Sequence, residues 1–316
     1  MIKMLIDCDT GIDDSIAILF ALKRPDVRVL GITTGCGNID AYQAAENSIR
    51  LIHLAKPGYE VPVAVGANAP LVGPWEGPVP HIHGANGVGN AELPPADQEP
   101  AAEAGWDMIV RLARENPGAL TVVTLGRMTN LALALEKEPA LPRLVKNVVA
   151  MGGAVRAPGN VSPVSEANIA GDPEAADRVF LAGFDLTLVG IDVTGKTFLT
   201  PRHLDIAEKY WAEDCRPILD YMREALKLYF AFACQNNRYL DRCPVHDPLA
   251  TVVAVDPSVV TIRKLPTRVE CGGTLCRGMV VSDFRERPID APFASICLDV
   301  DSERAVEELL GAFLKP

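Results

Sequence analysis

The chain opens with an apolar run, Ile2 to Ile6, interrupted only by Lys3, and then turns abruptly polar. Ile12, Ile16, Leu19 and Phe20 recur at i, i+4, i+7 and i+8, the spacing of one helix face. Pro25 stops that helix, and Val27 to Thr34 reads as a second strand. Ala41 to Ala55 is a helix closed by Pro57-Gly58. Further on, a strand at Leu120 to Leu125 feeds a helix at Thr129 to Lys137. Val145 to Ala150 is another strand, and a helix at Pro173 to Leu181 leads to a strand at Leu186 to Ile191. This alternation predicts an α/β fold: an open, mostly parallel sheet with helices on both faces and a Rossmann-like core. Gly66 to Pro100 is different, rich in Gly and Pro with two histidines, and reads as a long surface loop of the kind that is usually functional or disordered. Pro201 to Ala233 is helical, Val259 to Val269 and Gly278 to Val281 are strands, and Ser302 to Leu314 is an amphipathic helix. With no repeat and no clear linker, a single domain over residues 1–316 is expected.

Composition agrees with a globular protein: 48% of the 316 residues are hydrophobic and 22% charged. A net charge of −11 gives no electrostatic footprint for nucleic acid or an anionic membrane surface. No apolar run reaches the ~18 residues of a membrane span, and no signal peptide precedes the first strand. Eight cysteines without a Cys-x-x-Cys pair suit reduced thiols in a cytoplasmic protein better than a zinc site.

Ligands of open α/β sheets bind outside the carboxyl ends of the strands. The polar residues here fall at those ends: Asp7 and Asp9 after the first strand, Gly37-Asn38 after the second, then Leu125-Gly126, Met151-Gly152-Gly153 and Asp192. His246-Asp247 instead opens a helix, Pro248 to Val255. The segment Asp7-Cys8-Asp9-Thr10-Gly11-Ile12-Asp13-Asp14 holds four carboxylates in eight residues. Two unit charges ~4 Å apart repel by ~4 kcal/mol at an effective dielectric of 20. A helix N-terminus returns only ~0.3–1 kcal/mol of that. Gly11 permits the tight turn that brings Asp9 and Asp14 together. Carboxylates with carbonyl oxygens suit a hard cation, Ca²⁺ or Mg²⁺. A plain acidic helix cap would leave Asp7 and Asp9 unexplained. A calcium-binding helix-loop-helix fails at Gly11 and Ile18, and Gly11 also weakens a haloacid-dehalogenase-like phosphatase reading.

The pattern Asp-x-Asp-x-Gly-x-Asp-Asp resembles the signature of the inosine-uridine-preferring nucleoside hydrolases. Thr33-Thr34-Gly35-Cys36-Gly37-Asn38, His83-Gly84-x-x-Gly87, Leu125-Gly126-x-x-Thr129-Asn130 and Met151-Gly152-Gly153 agree in order and spacing. So do Asn160, Glu166-Ala167-Asn168-Ile169, Asp172-Pro173-Glu174-Ala175 and His246-Asp247-Pro248-Leu249-Ala250. The resemblance implies hydrolysis of the N-glycosidic bond of a ribonucleoside to ribose and free base. It implies Ca²⁺ held by Asp9, Asp14, Asp247 and the Leu125 carbonyl, with Asp9 as general base for a metal-bound water. Asp13 and Asn168 would hold ribose hydroxyls with Asn38 nearby, and Asn160 and Glu166 the 5′ side. Asp7 would support the site from behind. His246 is placed to assist the departing base, His83 belongs to the substrate loop, and a homodimer or homotetramer is expected. No Gly-x-Gly-x-x-Gly or Walker-type loop is present, as suits a substrate without phosphate.

Each residue also has a plainer reading. Asn38 suits a turn, and Glu166 and Asn168, two apart, would share one side of an extended surface segment. Tyr229, Phe230 and Tyr239 are candidates to stack on a base or to pack in the core; His81 reads as surface. The family usually has Pro at Thr10, Pro at Arg127 and Phe at Ala167. Arg127, with Arg238 and Arg242, could meet an anionic substrate group. A non-catalytic nucleoside- or ribose-binding protein and a Mg²⁺-dependent phosphatase acting through Asp7 are the alternative functions.

Overall fold

The computed structural model describes residues 1–237 and 241–314. Its strands are β1 (Ile2–Cys8), β2 (Val27–Thr34), β3 (Val63–Val65), β4 (Leu120–Thr124), β5 (Asn147–Met151) and β6 (Leu186–Val189). A small antiparallel pair follows, β7 (Phe198–Leu199) with β8 (Cys243–Pro244), and then β9 (Val260–Val269), β10 (Val280–Ser282) and β11 (Phe293–Val300). The main sheet has nine strands in the order β10-β9-β11-β6-β5-β4-β1-β2-β3. Every neighbouring pair from β3 across to β11 is parallel, and β9 runs antiparallel to both β11 and β10.

The helices are α1 (Ile12–Lys23), α2 (Ala41–Ala55), α3 (Pro80–His83), α4 (Gly105–Glu115), α5 (Thr129–Lys137), α6 (Leu141–Leu144), α7 (Ala167–Gly171) and α8 (Pro173–Leu181). They continue with α9 (Ile191–Thr194), α10 (Pro201–Tyr210), α11 (Arg216–Asn237), α12 (His246–Val255) and α13 (Ser302–Gly311). The period-two alternation of buried strands divides them between two cores. Met4, Ile6, Val123 and Val149 face the core shared with α1, α2, α11, α12 and α13. Leu5, Val122, Val148 and Leu188 face the core shared with α4, α5 and α8.

The expected architecture is the observed one, with instructive local differences. The spacing in α1 suggested a single apolar face, yet every residue from Ile12 to Leu22 is buried. The helix lies against α2, α11 and α12, so even its first-turn aspartates are enclosed. The expected strand from Val145 starts at Asn147, because Leu141–Leu144 turns as α6 first. The expected strand to Ile191 ends at Val189, where Gly190 opens α9. The helical region from Pro201 to Ala233 is two helices, separated by a 3₁₀ turn at Glu213–Cys215. Strand β11, between β9 and β6, was not anticipated. The Gly66 to Pro100 segment contains α3 and is tied down: Ala67 N–H donates to Asn130 Oδ1 (2.8 Å), Asn47 Nδ2 to the Asn86 carbonyl (2.9 Å) and Gln98 Nε2 to the Val61 carbonyl (2.9 Å). None of the eight cysteines forms a disulfide, and among the described residues no helix is long and apolar enough to cross a membrane.

Phe20 is fully buried in the middle of α1. Phe20→Ala is expected to destabilise the fold by about 3–5 kcal/mol, measured as a lowered urea midpoint at unchanged slope.

Candidate active site

Strand order β3-β2-β1-β4-β5-β6 means that the chain leaves β1 in one direction and β4 in the other. The loops after these two strands diverge and open a crevice at their carboxyl ends, where ligands of such sheets bind. Residues 9–11 turn the chain from β1 into α1 at this point. Asp14 accepts from the backbone N–H groups of Gly11 (2.8 Å), the N-cap of α1, and of Asp9 (3.3 Å) in the turn before it. From the end of β2, Asn38 reaches both carboxylates. Its backbone N–H donates to Asp9 Oδ2 (2.7 Å), and its Nδ2 to Asp9 Oδ1 (3.3 Å) and Asp14 Oδ2 (3.1 Å). Asn38 is therefore more than a turn residue: it sets the relative position of two carboxylates. Gly37 beside it leaves room for Asp9, since a Cβ there would lie 1.7 Å from Asp9 Oδ2.

Carboxylate oxygens of Asp13, Asp14 and Asp247 lie within 4.8 Å of one another, and all three residues are buried. Asp247 comes from the first turn of α12, which packs against α1. Asp9 is outside this trio but coupled to it through Asn38 and through its backbone bond to Asp14. Asp13 Oδ1 is, among the described residues, the one buried side-chain oxygen or nitrogen without a hydrogen-bond partner. An unpaired buried acceptor costs ~1–3 kcal/mol, more when charged. Burial, reinforced by the neighbouring carboxylates, pushes Asp13 up to about 7 and Asp14 up to about 6. The same causes hold Asp9 and Asp247 well above the usual carboxylate range. A divalent cation or a set of hydroxyl donors would relieve both the repulsion and the orphaned oxygen. The donor set, all carboxylate oxygen, is that of a hard cation.

Asp7 lies beneath. Its Oδ1 accepts from Thr33 Oγ1 (2.6 Å) and Asn130 Nδ2 (2.8 Å), and burial raises it to about 7. A carboxyl engaged in this way at 1% exposure supports the crevice floor and is not presented as a nucleophile. Asn130 also donates to the Thr34 carbonyl (3.0 Å), tying β1, β2 and the loop at Ala67 together. The sequence contained Asn130 within a motif but gave it no task. Thr10, where the family usually has Pro, is enclosed: its hydroxyl lies 2.8 Å from Ser48 Oγ, which itself donates to the Ala44 carbonyl. The Thr10 hydroxyl is therefore the donor of that pair.

Across the crevice, Asn168 Nδ2 donates to the Leu125 carbonyl (2.6 Å). Leu125 is held in turn by its N–H to the Asp7 carbonyl (2.7 Å). Glu166 and Asn168 were expected on an extended segment. Instead Glu166 caps α7, accepting from the N–H groups of Asn168 (2.8 Å), Ile169 (3.2 Å) and Gly153 (2.8 Å). Its three acceptor contacts go to backbone donors, and its carboxyl is still raised by burial. Asn160 is exposed and accepts from the Ala167 N–H (3.0 Å). Position 167, small and exposed, thus sits on this capping turn.

His83 is buried, not displayed on an open loop. Its Nδ1 accepts from the Ile12 N–H (3.1 Å), capping α1 and placing the imidazole proton on Nε2. Burial pushes it down to about 3. Its ring is 6.1 Å from that of Tyr229, which lies beside Asp13. Tyr229 is 5% exposed, so it backs Asp13 and offers no open stacking face. Phe230 packs on the same core, and His81 is exposed as expected. His246 is partly exposed, with Nδ1 2.8 Å from Thr194 Oγ1, and burial lowers it to about 4. At neutral pH it is an uncharged imidazole, and with the Thr194 hydroxyl as donor to Nδ1 its proton sits on Nε2, free to be donated. Arg242 is exposed with its guanidinium over the Phe198 ring (4.3 Å), while Arg238 and Tyr239 lie outside the described residues.

Comparison with known proteins agrees with this arrangement. Residues 4–307 match the family model described as inosine-uridine preferring nucleoside hydrolase. The chain is 35% identical to the inosine-uridine preferring nucleoside hydrolase of Crithidia fasciculata, covering 96% of this chain and 94% of that one. It is 34% identical to uridine nucleosidase 1 of Arabidopsis thaliana, covering 99% and 94%. Among solved structures, a purine-preferring ribonucleoside hydrolase from Gardnerella vaginalis superposes with a TM-score of 0.91 at 31% identity, covering 98% of each chain. An acidic crevice at the switch point of this sheet, matched over nearly the whole chain, means that the protein belongs to the inosine-uridine preferring nucleoside hydrolase family, enzymes that cleave ribonucleosides to ribose and free base.

Proposed function

We propose that this hydrolase works with Ca²⁺ held by Asp9, Asp14, Asp247 and the Leu125 carbonyl, and that Asp9 is its general base. The observation that carries the reading is the buried group of Asp13, Asp14 and Asp247 with Asp13 Oδ1 unpartnered. When bound, the cation supplies a Lewis acid that lowers the pKa of water and orients the vicinal ribose hydroxyls. Asp13 Oδ1 is the acceptor one such hydroxyl needs. Asn168, fixed on Leu125, and Asn38, fixed on Asp9, complete the sugar side, with Asn160 and Glu166 shaping its 5′ end.

Cleavage of the C–N bond develops positive charge on the ribosyl ring, which the surrounding carboxylates stabilise. Asp9, with both oxygens aligned by Asn38, takes the proton from the attacking water. Attack from the face opposite the base inverts the anomeric carbon. The neutral His246 donates a hydrogen bond to the departing base from Nε2, its ring steadied by Thr194. His83 acts behind the sugar by capping α1, with Tyr229 packed beside Asp13. We place the enzyme in the cytoplasm as a single 1–316 unit assembled into a homodimer or homotetramer, a reading supported by its unpaired cysteines and its family.

Incubation with inosine, uridine, cytidine and adenosine should release ribose from at least one of them, and chelation should stop it. Asp9→Ala should lower kcat by about 10²–10⁴; a near-normal rate in that variant removes Asp9 as the base. Calcium at 100-fold over Kd should stabilise the fold by about 2.7 kcal/mol. That stabilisation is readable as a higher Tm and should disappear in Asp14→Asn and Asp247→Asn. Gly37→Ala forces a methyl onto Asp9, and the displaced carboxylate should cost about 10² in kcat, checked by steady-state kinetics beside a melting curve close to wild type.

A further inference from the structure

The titratable groups gathered at the end of β1 are acidic: Asp7, Asp9, Asp13, Asp14 and Asp247 are all at most 6% exposed. One cation stands beside them. Gly126 borders Asp9 so closely that a Cβ there would lie 3.0 Å from Asp9 Oδ1, and Arg127 is the next residue. Its side chain extends across Gly171, the last residue of α7. A Cβ at 171 would lie 2.3 Å from Arg127 Nε and 2.7 Å from its Cζ, so the absence of a side chain there is what admits the guanidinium. Gly171 is three residues beyond Asn168, on the same side of that helical turn.

Arg127 is partly buried, and among the described residues it makes no ion pair or hydrogen bond. Other arginines of this chain close on carboxylates at 2.7 Å, as Arg268 does with Asp177 and Arg277 with Glu174. The guanidinium here is held near acidic groups without being neutralised by one. Its field reaches the site. Burial and Asp14 raise Asp9, and Arg127 acts on it in the opposite sense; it does the same to the buried Cys36 thiol. The family pattern that the sequence resembles has an uncharged proline here, where this chain carries a charge.

We propose that Arg127 acts as a resident counter-charge that opposes the divalent cation, so that this chain binds Ca²⁺ more weakly than its carboxylates alone would dictate. The inference rests on the cation site proposed above. A fixed unit charge repels a divalent ion through a partly solvated path, and repulsion of that kind corresponds to about threefold to tenfold in affinity. It is also screened by salt. Gly171 is the second half of the device, because any side chain there would evict the guanidinium.

Isothermal titration calorimetry with Ca²⁺ on the full-length, metal-stripped protein tests this. Arg127→Gln and Arg127→Met should bind about threefold to tenfold more tightly than wild type, with the gap narrowing at 1 M salt. Arg127→Lys, which keeps the charge, should match wild type. Equal or weaker affinity in both neutral variants overturns the counter-charge. A wild-type protein that takes up no calcium at all overturns the cation site itself, and the counter-charge with it. Two neutral variants of different polarity are used so that poor folding of one leaves the comparison intact; melting curves in chelator check each.

Discussion

Carboxylates that share a dry pocket raise one another's free energy when ionised, and much of this fold is an answer to that repulsion. Asp7, Asp9, Asp13, Asp14 and Asp247 converge where β1 ends and α1 begins. The sheet order creates the crevice, and the helix N-terminus offers backbone donors to Asp14. Asn38 and Asn130 each hold a carboxylate in place with a side-chain amide, and Gly37 withholds the atom that would displace Asp9. These measures position the charges without cancelling them. What remains, strong proton affinity and one unpaired oxygen, is the residual demand that a cation and a sugar satisfy.

The layout of strands and helices was legible because parallel strands buried on both faces leave long apolar runs, and helices leave their own spacing. The aspartates after β1 and the polar residues at other strand ends were legible for a related reason. Chemistry in such sheets is confined to one edge, and so many charges in eight residues have no economical structural use. Less was readable where a residue's task depends on a partner far away in sequence. Glu166 was read on an extended segment, but three backbone donors make it a helix cap. His83 looked like a mobile loop residue, but the unpaired Ile12 N–H draws it into the core. Asp13 joins Asp14 and Asp247 in the carboxylate trio while Asp9 stays outside it, an arrangement that follows from the packing of α12 on α1. β11 was missed because its sequence, Phe293 to Val300, carries an aspartate near its end and lacks the clean run of the inner strands.

The two walls of the crevice are built differently. The β1–α1 wall is rigid by burial, with α1 enclosed on every side. The opposite wall, from Asn160 to Gly171, is a capped turn in which backbone donors end on three side chains, Asn160, Ser162 and Glu166. Its contact with the first wall runs through Asn168 and the Leu125 carbonyl. Sugar recognition on that side thus depends on a few polar bonds, while the carboxylates depend on the core.

The hydroxyl chain from Thr10 through Ser48 to the Ala44 carbonyl runs in one direction only, since the carbonyl can do nothing but accept. A proline at position 10 would donate nothing, and the Cys8 thiol, 4.0 Å from Ser48 Oγ, would be the neighbour left to meet the acceptor side of that serine. The orientation of the Ser48 hydroxyl therefore depends on which residue occupies the turn. The turn after β1 and helix α2 are tied together by two hydroxyl groups thirty-eight positions apart in sequence, so an exchange at position 10 is felt inside α2.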